Sequence, residues 1–305
     1  MTFLYGEAQA ATLQILQPPP GSSSFVPYDI DGDSIVGQSK SYGLLYDGST
    51  YTQLEPPGTS TSSAAYSVSG SRIVGYYFDL KGNYQSFLYD GSSYTTLHYP
   101  LASTTSASGI DGDNIIGSYR TSPTGINHGF VYNGSTWTTL DHPLGVNGTV
   151  LADISGNKIV GQYLDASGLE HGFLYDGNSW ITIDDPAGTK GNYAKGISGD
   201  IIVGTYTFQG FSSLVSRPYI YDGESFSHPT LGVNSLGFTF HGVSNNRIVG
   251  TYTTIGAGIT LRSTGFIYTI PEPPTLLLAV LAAAGLVIPI FRARAIASYL
   301  DQVLR

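Results

Sequence analysis

Residues 144–186, LGVNGTVLADISGNKIVGQYLDASGLEHGFLYDGNSWITIDDP, decide the fold, because versions of this stretch recur from one end of the chain nearly to the other. Aligned on the tyrosine of the FLYDG segment, the copies place Tyr46, Tyr89, Tyr132, Tyr175, Tyr221 and Tyr268 at steps of 43, 43, 43, 46 and 47 residues. The IVG segment keeps the same beat through Gly37, Gly75, Gly117, Gly161, Gly204 and Gly250. Six copies at this period are a signature of propeller blades or related arrays.

Within the quoted unit four short segments read as strands. Residues 151–154 form the first and 158–164 the second, where Ile159 and Val160 in succession predict burial on both faces. Residues 171–176 form the third. Asp176-Gly177 then predicts a tight hairpin with positive-φ residues, and 179–184 returns with Ile181 and Ile183 on one face and Trp180 and Thr182 on the other. Proline recurs at Pro57, Pro100, Pro143 and Pro186, marking a repeated exit from the sheet. Four strands in about 43 residues, six times over and with no helical pattern, predict an all-β propeller of about six four-stranded blades. An open solenoid is the competing arrangement, but its coils are shorter and lack hairpin turns at fixed offsets.

Composition narrows the function classes. Only 11% of the 305 residues are charged, and Gly, Ser, Thr and Tyr are abundant, so the surface is neutral and rich in hydroxyls. A net charge of -9 makes attraction to nucleic acid phosphates unfavourable, and no basic stripe is present. With no cysteine, disulfides, thiolate metal sites and thiol nucleophiles are excluded.

The N-terminal residues 1–20 carry no basic segment followed by an apolar run, so no secretory signal is read there. They resemble half a repeat instead. Phe3-Leu4-Tyr5-Gly6 matches FLYDG and Leu16-Gln17-Pro18-Pro19 matches Leu54-Glu55-Pro56-Pro57, which predicts that this fragment supplies or reinforces a strand of the closing blade.

The spellings HGFLYDG, WTTLDHP and GIDGDNIIGSY resemble the HAF family of bacterial extracellular repeats over residues 3–268, and the YDG turn followed by an aromatic is similar to kelch blades. Later units depart from the pattern. Arg217-Pro218-Tyr219 replaces HGF, Phe226-Ser227-His228-Pro229 shortens the last strand, and the sixth unit loses the DG turn after Tyr268. The resemblance implies an exported protein of the cell surface or matrix.

Candidate chemistry in the repeats is sparse. Asp29-Ile30-Asp31-Gly32-Asp33 and Asp111-Gly112-Asp113-Asn114 resemble the start of a calcium loop, but the sixth and twelfth positions counted from Asp29 are Ser34 and Lys40. Turns are the expected role, since other units place Ser-Gly or Ser-Asn there. His128 and His171 share a register before Gly-Phe, and Asp79 and Asp165 share another before a loop glycine; these read as structural. Asn133 and Asn147 open chance-level glycosylation triplets. No catalytic triad, metal set or cofactor motif emerges, so no cofactor is expected. Tyr51, Tyr94, Trp137 and Trp180 follow each turn and could face a sugar ligand, although packing between blades is their ordinary role.

After the repeats the composition changes. Residues 270–274 form a proline-rich neck, 275–291 an apolar run, and 292–305 a tail opening with Arg292 and Arg294. Seventeen helical residues span about 25 Å, enough for a short transmembrane helix with the arginines on the cytoplasmic side. Pro271, Glu272 and Pro273, the apolar span and the two arginines resemble the PEP-CTERM sorting signal. That resemblance implies an exosortase-like processing enzyme as partner, a membrane anchor before processing, and a Gram-negative source with exopolysaccharide or surface proteins as further partners. The function expected is a non-enzymatic binding or structural repeat protein, with 21–269 as its propeller. The alternative is a propeller glycoside hydrolase or polysaccharide lyase, which needs carboxylates converging at the channel mouth with a histidine or a metal.

Overall fold

The computed structural model describes residues 11–211, 213–233, 235–256 and 260–271. The described strands form six four-stranded antiparallel sheets. Blades one to five span 26–54, 63–97, 104–139, 149–182 and 191–227. The sixth combines 237–269 with Thr12–Ile15. Each blade's first strand touches that of the next, and the sixth touches the first, so the sheets close into a six-bladed β-propeller.

Closure uses the N-terminal fragment as its sequence predicts. Thr12–Ile15 pairs antiparallel with Phe266 to Thr269, and Leu16 donates its amide to the Gly265 carbonyl at 2.9 Å. The missing DG turn after Tyr268 has its reason here, because the sixth blade receives its outer strand from the other end of the chain.

The core lies between blades. Each of the six apolar clusters draws residues from two neighbours. Ile159 packs toward blade three and Val160 toward blade five, which explains why every second strand carries two apolar residues in succession. The IVG glycine follows from close approach. A Cβ on Gly161 would lie 2.1 Å from the Val150 carbonyl and 2.9 Å from the Phe173 ring, because the first strand bulges there and the ring covers the site.

One turn expectation changes. The DG hairpin is a four-residue loop in which Tyr175 pairs with Trp180, and only Gly177 has a positive φ. Asp176 serves as an acceptor, its Oδ1 bonding the amides of Asn178 and Ser179. The repeat tyrosine locks this loop, donating its hydroxyl to the glycine carbonyl in five blades. The true two-residue turn joins the first and second strands, with Ser155 opposite Lys158 and Gly156 at φ 61°. The Asp-Gly-Asp segments are turns of this second kind, and Asn245 adopts φ 54° where the other blades have glycine.

The outer strand of blade four is Trp180–Thr182, shorter than expected. Ile183 has left the strand and is buried, whereas Ile181 is exposed; an edge strand has no neighbour to cover its outer face. Ile270, assigned to the neck by sequence, belongs to the propeller. It is buried in the sixth blade's cluster and donates its amide to Asn246 O at 2.8 Å. Pro271 is the last described residue. Glu272, Pro273, Arg292, Arg294 and the apolar run 275–291 lie outside the described residues, among which no helix is long and apolar enough to cross a membrane.

Three ion pairs join blades at the turns. Arg72 of blade two meets Asp113 of blade three at 2.7 Å, Lys158 of blade four meets Asp200 of blade five at 2.5 Å, and Arg247 of blade six meets Asp33 of blade one at 2.9 Å. Every second junction carries one. The carboxylates are exposed, so each pair contributes at most about 1 kcal/mol.

Candidate functional site

The aromatic residues after each turn sit in blade-to-blade contacts. Tyr51, Tyr94, Trp137 and Trp180 lie 4.6, 4.8, 4.3 and 4.7 Å by ring centroid from Tyr46, Tyr89, Tyr132 and Tyr175. Each also meets the segment leaving the preceding blade or the N-terminal strand. Tyr51 donates to Gln17 O, Tyr94 accepts the Glu55 amide, Trp137 packs edge-on to Tyr99 and Trp180 edge-on to His142. These half-buried rings are therefore wedged at junctions rather than grouped into one ligand platform.

At one end of the central channel, the turns form a ring of hydrogen bonds. Amides of Gly70, Gly112, Gly156, Gly199, Asn245 and Gly32 donate to Asp31, Ser69, Asp111, Ser155, Ser198 and Ser244 of the preceding blade. This is why the slot holds only Asp or Ser: both offer a short acceptor. The turn reading was right but incomplete, since these side chains also tie blade to blade.

Two residues earlier the ring is asymmetric, reading Asp29, Ser67, Gly109, Asp153, Gly196 and Gly242. Asp29 accepts the amides of Ile30 and Val68 and the Ser67 hydroxyl; Asp153 accepts those of Ile154 and Ile197. Both carboxyls are buried at a mouth of about 120 Å³ that also includes Asp31 and Asp111. Burial pushes Asp29 up to about 6, and burial together with the charge of Asp29 raises Asp153 well above its usual range. Carboxylates thus converge at the mouth, which the sequence reading missed. No histidine lines it, and among the described residues no group of three or more acids or histidines could hold a metal ion.

The bulged residues of the six first strands are Tyr28, Tyr66, Ser108, Ala152, Lys195 and His241. Tyr28 meets Tyr66 at 5.4 Å and His241 at 6.0 Å. His241 bonds to Thr239 and Thr251, and burial followed by the charge of Lys195 lowers it to about 3. Burial likewise lowers Lys195.

A second polar belt lies where blades meet the exit segments. His128 Nδ1 bonds Asp141 at 2.8 Å, and His171 Nδ1 bonds Asp184 at 2.5 Å. Burial disfavours charge on His171, but Asp184 and Asp165 outweigh it and raise the imidazole. His228 reaches back to the buried Asp185 of the preceding exit. The His-to-Asp interval of 13 residues, shared by blades three and four, was the sequence signal that would have found these pairs. Blade two has Gln85 and His98 instead, and no hydrogen bond joins them among the described residues. There a cavity of about 320 Å³ opens, the larger of the two described.

His142 stacks on Tyr163 at 3.7 Å and 5°, as Tyr99 stacks on Tyr119 at 3.7 Å and 7° one blade earlier. Burial, then the charge of His171, lowers His142 from 6.5 to about 4. Its folded value is depressed, so it contributes stability above pH 6.5 that is lost as pH falls through about 4. His142→Tyr copies the neighbouring stack and removes this titration. The variant should lose about 1 kcal/mol less than the parent between pH 7 and 4, a thermal midpoint difference of roughly 2–4 °C. Equal acid sensitivity in melts across that range would refute the assignment.

No family model and no curated protein matches the sequence. Among solved structures, the chain is similar to a putative TolB from Agrobacterium tumefaciens, at 17% identity and TM-score 0.53, over 72% of this chain and 87% of that one. It is also similar to the Trypanosoma rangeli sialidase, at 11% identity and TM-score 0.50, over 86% and 60%. The fucose-specific lectin from Aleuria aurantia aligns over 85% and 97% at 15% identity and TM-score 0.46. At these identities the likeness concerns the propeller fold alone.

Proposed function

We propose that this chain is a non-enzymatic binding or structural propeller of the cell surface or exopolysaccharide matrix. The observation that carries it is the commitment of Asp29 and Asp153 to main-chain amides of their own and the next blade. A carboxyl bonded to the amides that hold the ring together is a structural cap, and moving its proton during catalysis would disturb the channel wall. What remains accessible is a sparsely charged surface rich in hydroxyls and amides, suited to glycan or protein contact.

In this reading the C-terminal residues are an address: Pro271, Glu272 and Pro273 for an exosortase-like enzyme, 275–291 as the anchor, and Arg292 and Arg294 as the orientation signal. Two versions test it, one full length and one ending at Ile270, each given an N-terminal export signal in an exopolysaccharide-producing Gram-negative host. The full-length chain should fractionate with membrane and then matrix, and the shorter one should fold and be released. A soluble full-length chain, or a shorter one that does not fold, overturns the sorting reading.

A polysaccharide-cleaving enzyme is favoured by one observation, the presence of the buried Asp29 and Asp153 carboxyls at one channel mouth. Asp153→Asn separates the two readings. As a cap, the substitution places a donor against an amide and costs about 1–3 kcal/mol, read from the denaturant midpoint, with no product released by either protein. Reducing ends or unsaturated sugars released by the parent and lost in Asp153→Asn would establish the enzyme.

A further inference from the structure

From the cavity between blades two and three we infer a subsite for one neutral saccharide residue; this rests on the binding reading above. The site departs from blades three and four. In blades three and four a His–Asp pair spans the third strand and the exit segment, whereas in blade two those positions are Gln85 and His98 and the space between them is open. Its volume of about 320 Å³ lies within the range of small-ligand sites, about 300–1,000 Å³.

The floor is fixed. Ser86 donates to Thr105 O and accepts the Ala107 amide, and the Thr105 hydroxyl accepts the Tyr99 amide. The walls are oriented and keep hydrogen-bonding capacity free for a ligand. Asp79 Oδ2 accepts from Asn83 Nδ2 at 3.1 Å and Gln85 Nε2 at 3.4 Å, which leaves both amide oxygens as acceptors. Among the described residues neither the Thr104 hydroxyl nor the His98 ring has a hydrogen-bond partner, and both line the cavity. Two oriented carbonyls, one hydroxyl and one imidazole supply acceptors and donors with no full charge in the lining. A ligand that both donates and accepts at several adjacent atoms and carries no charge fits this set, which is the chemistry of a neutral sugar. An anionic ligand would leave the two amide oxygens without a donor, and an apolar one would leave the whole set unpaired.

Gln85→His with His98→Asp tests the inference by building into blade two the bridge that closes the same place in blades three and four. Methyl glycosides of glucose, galactose, mannose, fucose and N-acetylglucosamine serve as probes in calorimetry and ligand-observed NMR, with dextran as a neutral polymer. The parent should bind at least one probe, and the double variant should bind it at least tenfold more weakly while melting no lower. Thr104→Val, which keeps shape and removes the hydroxyl, should weaken binding several-fold and guards against misfolding of the double variant. Binding unchanged in both variants overturns the subsite but leaves matrix association of the propeller standing. Failure of the parent to bind any probe, despite matrix association, also overturns the subsite. Failure to associate with matrix at all overturns the wider reading.

Discussion

Removing residues 1–16 should open the ring, lowering the thermal midpoint by more than about 10 °C and producing oligomers. The deletion takes away the outer strand of the sixth blade and with it Leu16, which is buried against Phe25, Ile30, Val249 and Ile267. Loss of one buried leucine alone costs about 2–5 kcal/mol, and each kcal/mol moves the midpoint of a large domain by about 2–4 °C. The ladder on Phe266 to Thr269 is lost as well, leaving a long edge that can pair with another chain. Size-exclusion chromatography and calorimetry read both effects, and a peptide of residues 11–20 added in excess should restore the monomer. An unchanged midpoint with a monomeric profile would show that closure is made elsewhere.

Gly161→Ala, like the same change at the other IVG glycines, should be among the most damaging inside a blade, at about 3–5 kcal/mol. The added carbon would lie 2.1 Å from a main-chain oxygen, so no side-chain rotation relieves it; the bulged first strand must move away from the second. Because that strand also carries Asp153, its displacement would unseat the cap on Ile197 of the next blade. Denaturant unfolding followed by tryptophan fluorescence measures the loss, with Trp180 in the same blade as reporter. A cost below about 1 kcal/mol would mean that the bulge is soft and the recurrence of glycine has another cause.

Much of the architecture could be read before any coordinates because it repeats. Spacing counted the blades, the paired Ile159 and Val160 announced burial on both faces, and Leu16-Gln17-Pro18-Pro19 announced closure because it matched a segment of known place in the unit. Interactions carried by departures from the repeat were hidden. Asp29 and Asp153 sit in a slot otherwise filled by Ser or Gly, so comparison of units gave no register to notice, and their meeting depends on ring curvature that no single unit contains. The blade-two cavity was hidden for the related reason that it is defined by a bridge that blades three and four possess and blade two lacks. Ile181 and Ile183 do not share a face because alternation holds only while the strand lasts, and the outer strand ends at Thr182.

The alternation of charge at the turns bears on how such a gene can change length. Basic residues Arg72, Lys158 and Arg247 belong to even blades, and their partners Asp113, Asp200 and Asp33 to odd ones. Unequal recombination that removes one repeat leaves a base or an acid without its partner, whereas removal of two consecutive repeats keeps the remaining charges matched. The penalty per event is under about 1 kcal/mol, so it acts as a weak filter across many generations. Under that filter the heritable unit of this ring is a doublet of blades, and descendants should differ from it in steps of two.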